Sequence, residues 1–197
     1  MREVELKAVV PDEEAARRRL LAAGAIAVFE GALIDRRYDT ADRSLTQRDL
    51  VLRLRVQQTA ASVRGVLEFK GAASIVDGYK VREEVGTSVD DPAVLASILE
   101  ALGYRVTREV DREVAVFSVA GATVRLERYP RMDVLVEVEG APEAIERAIA
   151  ILGIPREAYT AEPLVAFVAR YEARTGARGA ICQRELADDF RYRVDDA

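Results

Sequence analysis

The sequence of 197 residues contains no histidine at all. Its absence excludes Ser-His-Asp and Cys-His nucleophiles, HExxH metalloproteases and histidine-ligated zinc hydrolases, since each of these needs an imidazole. The single cysteine, Cys182, has no second cysteine for a disulfide and belongs to no zinc-binding cysteine cluster. Neither a GxxxxGK[ST] loop nor a GxGxxG turn occurs, so P-loop NTPases and Rossmann enzymes are poor fits. Any chemistry must therefore use carboxylates, Lys, Arg and Tyr, together with a metal that prefers oxygen ligands.

The sequence also lacks a surplus of positive charge and a long apolar run. Acidic residues number 34 and basic residues 29, for a net charge of −5, which argues against a uniformly basic nucleic-acid-binding protein. No apolar run approaches the roughly 20 residues that span a bilayer. The N-terminus is charged from its second residue, unlike a secretory signal. We therefore expect a cytoplasmic protein that binds neither nucleic acid nor membranes.

Alternation of charged and apolar side chains predicts about eight strands, over residues 2–9, 26–39, 50–57, 63–70, 78–86, 104–118, 122–129 and 133–139. Four helices are predicted: one between Asp12 and Gly24, one from Pro92 to just before Gly103, and two at about 142–152 and 163–175. The strands follow one another through short turns, which favours an α+β fold with an antiparallel sheet or barrel. Residues 177–197 show no clear periodicity and are predicted to be a C-terminal tail or cap beyond a domain of residues 1–176.

One face of nearly every predicted strand is charged, because residues two apart share a face. Arg53 and Arg55 alternate with leucines, and Glu137 and Glu139 alternate with valines. The ordinary interpretation is an antiparallel sheet with its charged face in water. However, these faces mix Glu with Arg and Lys, and helices are available to cover the apolar side. A barrel interior lined by both signs would suit a polyphosphate, since carboxylates bind Mg²⁺ or Mn²⁺ and the cations bind phosphate oxygens.

The N-terminal Glu3-x-Glu5-x-Lys7 resembles the ExExK signature of the CYTH superfamily, the triphosphate tunnel metalloenzymes. Further motifs follow in the family's order: a YFDT-like turn without its Phe, an LRxR strand, a strand ending in Lys-Gly, an RxE strand and a closing EiE strand. In this sequence they are Tyr38-Asp39-Thr40, Leu52 to Arg55, Glu68 to Gly71, Arg82 to Glu84, and Leu126 to Glu139. The resemblance covers about residues 1–175. It departs from the family at Glu127, where Asp is usual, and at Met132-Asp133, where Leu-Gly is usual.

The resemblance implies an eight-stranded antiparallel β-barrel with flanking helices that encloses a triphosphate. It also implies one or two ions of Mg²⁺ or Mn²⁺, with Glu3, Glu5, Glu127, Glu137 and Glu139 as ligands. Glu127, as a ligand or a base that positions water, and Lys7 are the implied catalytic residues. The implied phosphate-binding residues are Lys7, Arg53, Arg55, Lys70, Arg82, Arg108 and Arg112. Which of Arg108 and Arg112 faces the tunnel stays open at this point.

Two reactions share this apparatus in the family. Attack of metal-activated water on the terminal phosphorus hydrolyses the triphosphate, as in thiamine triphosphatases and tripolyphosphatases. Attack of a ribose 3′-oxygen on the α-phosphorus gives cyclic AMP and pyrophosphate, as in class IV adenylyl cyclases. We therefore expect a metal-dependent enzyme acting on ATP, tripolyphosphate or thiamine triphosphate, with cyclase and triphosphatase both open. The alternative is a non-catalytic barrel that binds polyphosphate or a nucleotide. A homodimer is also left open.

Overall fold

The computed structural model describes residues 2–187, 190 and 192, with side chains from residue 4 onward. In this part of the chain the strands are β1 Arg2–Val9, β2 Ile26–Asp39, β3 Val51–Gln58, β4 Val63–Lys70, β5 Ser74–Val76, β6 Tyr79–Val89, β7 Arg105–Val119, β8 Ala122–Arg128 and β9 Leu135–Glu139. The α-helices are α1 Glu13–Ala22, α2 Pro92–Ala101, α3 Pro142–Leu152 and α4 Leu164–Thr175. The predicted strands and helices are thus present within a few residues of their expected bounds.

The strands form one antiparallel sheet in the order β1-β9-β8-β7-β2-β3-β4-β6-β5. β1 also pairs with β6, from Arg2 opposite Glu83 to Glu5 opposite Lys80. This pairing joins the two ends of the sheet and closes eight strands into a ring. The short β5 is an addition to β6 outside that ring. The predicted α+β fold with an eight-stranded antiparallel barrel is confirmed.

Helices cover the apolar outer face of the barrel. Leu6, Val136 and Val138 are at most 1 % exposed and belong to a core that includes Leu20 of α1 and Ile145 of α3. α1 begins where the Asp12 carboxylate accepts a hydrogen bond from the backbone N–H of Ala15 at 2.9 Å. Because side chains alternate along a strand, an outer face packed on helices sends the charged face inward. The charged faces therefore line the interior and are not a solvated surface.

A second apolar cluster lies near α4 and includes part of the predicted C-terminal tail. Ile181 is 2 % exposed and packs with Phe167 of α4 and Leu135 of β9. Ala180 forms an antiparallel bridge with Arg131. Residues 188, 189, 191 and 193–197 of the predicted tail or cap lie outside the described residues. No helix in the described chain is both long and apolar enough to cross a bilayer.

Candidate active site

The barrel encloses a cavity of about 620 Å³ whose described lining is rich in charges of both signs. The cations are Lys7, Arg37, Arg53, Arg55, Lys70, Lys80, Arg82, Arg112 and Arg125. The carboxylates are Glu5, Asp35, Asp49, Glu68, Glu84, Glu127, Glu137 and Glu139. Nine cationic against eight anionic side chains leave this lining with a small positive surplus.

Most residues that the resemblance implicated lie in this lining. The exceptions are Arg108, which borders a separate cavity of about 330 Å³ next to α4, and Glu3, whose side chain lies outside the described ones. Of the two arginines left open by the sequence, Arg112 faces the central cavity. The site residues predicted from the sequence did not include seven charged residues of this lining, namely Asp35, Arg37, Asp49, Glu68, Lys80, Glu84 and Arg125. The alternation of β6 and β8 nevertheless placed Lys80 and Arg125 on charged faces.

On one wall, a lysine bridges two carboxylates. The strand register sets Lys7 opposite Glu137, and Lys7 Nζ lies 2.8 Å from Glu137 Oε2 and 2.8 Å from Glu5 Oε1. Lys80 also pairs with Glu5, and Arg125 pairs with Glu137 and, at 3.0 Å, with Glu139. We call these six residues the Lys7 cluster.

Electrostatics in the Lys7 cluster keep its carboxylates ionised. Burial alone would raise the pKa of Glu137, but Lys7 and Arg125 more than offset it and hold that pKa well below its usual value. The same balance, with burial opposed by Lys7, lowers the pKa of Glu5. Burial would lower the pKa of Lys7, yet Glu137 and Glu5 raise it above its usual value. The cluster is therefore an array of full charges at neutral pH.

The donor set of the Lys7 cluster fits a divalent cation. Glu137 opposes the ionisation of Glu5 by raising its pKa, and one ammonium, Lys7 Nζ, lies 2.8 Å from both carboxylates, so the two lie close enough to share a cation. Carboxylate oxygens are the ligands that Mg²⁺ prefers, and Lys7 already places one positive charge between these two groups. Glu127 fits less directly, because its two oxygens accept hydrogen bonds from Arg112 at 2.8 Å and from Tyr129 at 2.6 Å.

Another acidic group lies away from this wall. Ligand atoms of Glu109, Asp111 and Cys182 come within 4.8 Å of one another. Arg36 lies 3.2 Å from Glu109 Oε2 and 2.7 Å from Asp111 Oδ1. Burial raises the pKa of the Cys182 thiol to about 11, so its thiolate is scarce at neutral pH. Glu109 and Asp111 thus already have a cationic partner in Arg36. The carboxylates of the barrel interior are the better candidates for metal ligands.

On the opposite wall, one buried carboxylate contacts three arginines. Asp35 is 3 % exposed. Its oxygens accept hydrogen bonds from Arg55 at 2.7 and 2.8 Å, from Arg112 at 3.0 Å and from Arg53 at 3.3 Å. Burial alone would raise the pKa of Asp35, but the three guanidinium groups hold it well below its usual value. We call these four residues the Asp35 cluster.

Arg37 stands beside that cluster without a carboxylate of its own. It is directly opposite Arg53 on β3 and Arg108 on β7, and among the described residues it forms no ion pair. Burial, followed by repulsion from Arg53 and Arg108, lowers the pKa of Arg37 to about 10. Nearby, Arg82 Nε is buried and has no hydrogen-bond partner among the described atoms. Adjacent guanidinium groups with unmet donors have the chemistry to bind a multiply charged anion.

Solved structures with the same fold include several CYTH-like proteins. A candidate adenylate cyclase from Vibrio parahaemolyticus matches with a TM-score of 0.72 and 21 % identity, over 85 % of this chain and 97 % of that one. The PH1819 protein from Pyrococcus horikoshii matches with a TM-score of 0.69 and 20 % identity, over 85 % and 98 %. HpAC1 from Hippeastrum, described as a candidate adenylyl cyclase with a dominant triphosphatase activity, matches with a TM-score of 0.60 and 20 % identity, over 89 % and 95 %. At these identities the similarity establishes the fold.

Sequence comparison identifies the family directly. No curated protein sequence matches this chain significantly. The family model of the CYTH domain, however, matches residues 1–152, which is most of the chain and includes all nine strands. The closed barrel with its charged lining agrees with that match. The protein therefore belongs to the CYTH domain family.

Proposed function

We propose that the protein is a metal-dependent enzyme that cleaves a triphosphate bound inside the barrel. The observation that carries this proposal is the charge of the cavity lining, with nine cations against eight carboxylates in its described part. A triphosphate brings about four negative charges, which this small surplus does not neutralise. One or two divalent ions held by the interior carboxylates would restore the balance. CYTH proteins are metalloenzymes, which supports this assignment.

Glu5, Glu137 and Glu139 would hold Mg²⁺ or Mn²⁺, with Glu3 and Glu127 as the further ligands that the resemblance implies. When bound, the metal would polarise a phosphoryl oxygen and screen the charge of the substrate. Lys7 contacts two of these carboxylates, Glu5 and Glu137. With a metal ion neutralising those carboxylates, the Lys7 ammonium would be able to donate its hydrogen bonds to a phosphate oxygen instead. Glu127 would keep Arg112 oriented toward the cavity, because it accepts a hydrogen bond from Arg112 Nε at 2.8 Å, and Tyr129 would hold Glu127 in place through its own hydrogen bond of 2.6 Å to that carboxylate.

The phosphate oxygens away from the metal would bind the guanidinium groups. Arg37 and Arg82 have donors that no described carboxylate satisfies in full, and Arg53 lies directly opposite Arg37. The resemblance adds Arg55, Lys70 and Arg112, which line the same cavity, whereas Arg108 borders the separate cavity next to α4. Preorganised positive charge of this kind stabilises the charge that spreads over the oxygens during phosphoryl transfer.

Hydrolysis and cyclisation remain two candidate outcomes of the same cleavage. One structural relative is described as a candidate adenylate cyclase, and another as having a dominant triphosphatase activity. Purified protein should therefore be given tripolyphosphate and ATP separately with Mg²⁺ or Mn²⁺, and every phosphorus product resolved. Orthophosphate and pyrophosphate from tripolyphosphate identify a triphosphatase, whereas cyclic AMP and pyrophosphate from ATP identify a cyclase.

Replacing Glu137 with Gln tests the metal assignment. We expect turnover to fall by about 100-fold or more, because the metal that stabilises charge on the reacting phosphate loses a carboxylate ligand. Mn²⁺ binding should weaken in parallel. Glu162→Gln, on the exposed Arg170 pair, is the matched control and should change neither. Unaltered activity of Glu137→Gln at saturating metal would contradict the assignment. Tight tripolyphosphate binding by the wild type without any product would instead identify a non-catalytic barrel.

A further inference from the structure

The strand register arranges the charges of the Lys7 cluster in two neighbouring rows across the sheet. In the first row, Glu137 on β9 lies directly opposite Arg125 on β8 and Lys7 on β1. In the second row, Glu139 on β9 lies directly opposite Glu5 on β1. Like charges that face each other across a sheet repel, so the second row needs cations close by. The register therefore sets where positive charge is required in this wall.

The three carboxylates of the cluster have two positions between them, and a side-chain cation fills each one. Between Glu5 and Glu137, Lys7 Nζ lies 2.8 Å from both carboxylates. Between Glu137 and Glu139, Arg125 donates hydrogen bonds to Glu137 through Nη1 and to Glu139 through Nη2, the latter at 3.0 Å. We call these the lysine position and the arginine position. Glu137 takes part in both, with Oε2 facing Lys7 and Oε1 facing Arg125.

The two cations differ in how readily a metal ion would displace them. The lysine ammonium is a point charge on a flexible stem, whereas the arginine guanidinium is a rigid planar fork that stays charged at every ordinary pH. Arg125 uses that fork on two different carboxylates, whose side chains are only 10 % and 28 % exposed. Charge-assisted contacts of this kind are strong and directional. A divalent ion should therefore enter the lysine position, while Arg125 stays in the arginine position.

Glu127 is two residues from Arg125 on β8 and is the other described carboxylate that could serve a second ion. Its Oε1 accepts a hydrogen bond from Arg112 at 2.8 Å, and its Oε2 accepts one from Tyr129 at 2.6 Å. It could join a metal only by giving up one of these buried bonds, which would leave a donor unsatisfied. The described lining thus has one position where a metal displaces a mobile cation at little cost.

We propose that Arg125 takes the place of a second divalent ion, so that the barrel binds a single Mg²⁺ or Mn²⁺ at the lysine position. This inference rests on the proposed metal-dependent function and specifies how many ions that site takes. Arg125 would supply a permanent positive charge beside the ion, with donors that a phosphoryl oxygen can approach. One exchangeable ion and one fixed guanidinium would then share the charge stabilisation that two metals provide in two-metal sites.

Counting bound Mn²⁺ by equilibrium dialysis tests the proposal without turnover. We expect the wild type to bind one ion per chain, with the six-line electron paramagnetic resonance spectrum of an isolated Mn²⁺. Arg125→Ala opens the arginine position, so it should bind a second ion, and its spectrum should be broadened by coupling between ions about 4 Å apart. Arg125→Lys keeps a cation beside Glu137 and Glu139 but lacks the fork. It should also admit a second ion, more weakly than Arg125→Ala does.

Arg128→Ala is the matched control on the same strand, because the Arg128 side chain is 60 % exposed and pairs with Glu13 at 2.8 Å. It should bind one ion, as the wild type does. Two ions in the wild type, a second ion in Arg128→Ala, or only one ion in both Arg125 variants when circular dichroism shows them folded, would overturn the inference. Each of these results leaves the proposed metal-dependent function in place. A wild type that binds no Mn²⁺ would overturn that function itself.

Discussion

The two charged clusters of the barrel interior differ in their balance of charge. In the Lys7 cluster, three carboxylates face three cations, and the closest contacts alternate in sign. In the Asp35 cluster, a single carboxylate contacts three arginines, and Arg37 stands beside them without an ion pair among the described residues. The central carboxylates of both clusters, Glu5 and Glu137 in one and Asp35 in the other, are buried, so burial does not distinguish the clusters. The Lys7 cluster has equal numbers of positive and negative groups, so a metal ion could take the place of an ammonium there. The Asp35 cluster has an excess of positive charge, which favours a bound anion.

Within one cavity, some buried charges therefore serve mainly to stabilise the fold and others serve mainly to bind a ligand. Asp35 is saturated by its partners, so its main effect should be on stability. Arg37 repels its neighbours, so its native environment costs free energy that a bound anion would recover. A buried charge with full pairing is therefore evidence for a structural role, and a buried charge with like-charged neighbours is evidence for a ligand.

Removing the Asp35 carboxylate should have the largest effect on stability. Asp35→Asn keeps the size of the side chain but leaves three buried arginines without their shared counter-charge. We expect the free energy of unfolding to fall by about 3–5 kcal/mol, measured by urea denaturation with circular dichroism. Glu162→Gln removes one partner of an exposed pair and should cost at most about 1 kcal/mol. A loss for Asp35→Asn as small as that of the control would contradict a structural role for this cluster.

The pH dependence of the stability lost in Asp35→Asn tests whether the Asp35 carboxylate itself is responsible. The native pKa lies well below the unfolded value, so the stabilisation is complete above the unfolded pKa of about 3.9 and is lost as the pH falls toward the native pKa. The gap in unfolding free energy between the wild type and Asp35→Asn should therefore be constant near neutral pH and narrow below about pH 4. Urea denaturation at a series of pH values measures it. A gap that begins to close well above pH 4 would point to a different titrating group.

Arg37 and Arg53 are adjacent arginines that should behave differently when replaced by Ala. Either change should weaken binding of a tripolyphosphate analogue, in which methylene groups replace both bridging oxygens, about tenfold, and the loss should shrink as salt rises. Arg53 also bonds Glu68 at 2.7 Å and Asp35 at 3.3 Å, so Arg53→Ala should lower stability as well. Arg37→Ala should leave stability unchanged or raise it, because a like charge is removed. Equal destabilisation by both variants, in calorimetric binding and urea denaturation done together, would erase the proposed distinction.

The fold could be predicted from the sequence because period-two alternation is strong on most strands and the CYTH motifs occur in order. The alternation placed residues such as Arg53 and Glu137 on charged faces, and the resemblance implied their roles. Asp35 and Arg37 did not, because Arg36 stands between them and three consecutive charged residues hide the inward face of β2. Their opposite roles depend on cross-strand neighbours, Arg55 for one and Arg108 for the other. A single sequence does not supply that register.

The sequence also did not predict the cavity of about 400 Å³ that shares Arg55 and Arg125 with the central one. Its wall combines Phe29 and Gln57 with Val116 of β7, which is distant along the chain. The bulge before Phe29 interrupts the alternation that otherwise predicts direction. Non-local walls and irregular backbone carry no periodic signal, so the sequence predicted the charged interior but not the apolar cavity next to it.

The smallest effect that we expect is a gain in metal affinity on removal of the Lys7 charge. Measuring it is the most direct test of the Lys7 cluster. Lys7→Met keeps an unbranched side chain that is one atom shorter and removes the charge between Glu5 and Glu137. Because that charge would repel a divalent ion, Mn²⁺ should bind several-fold more tightly without substrate, as measured by electron paramagnetic resonance titration. Glu5→Gln should do the opposite, since it removes a ligand. If Lys7→Met bound Mn²⁺ less tightly than the wild type, the ammonium and the metal would not compete for these two carboxylates, and the metal would have to lie elsewhere in the barrel.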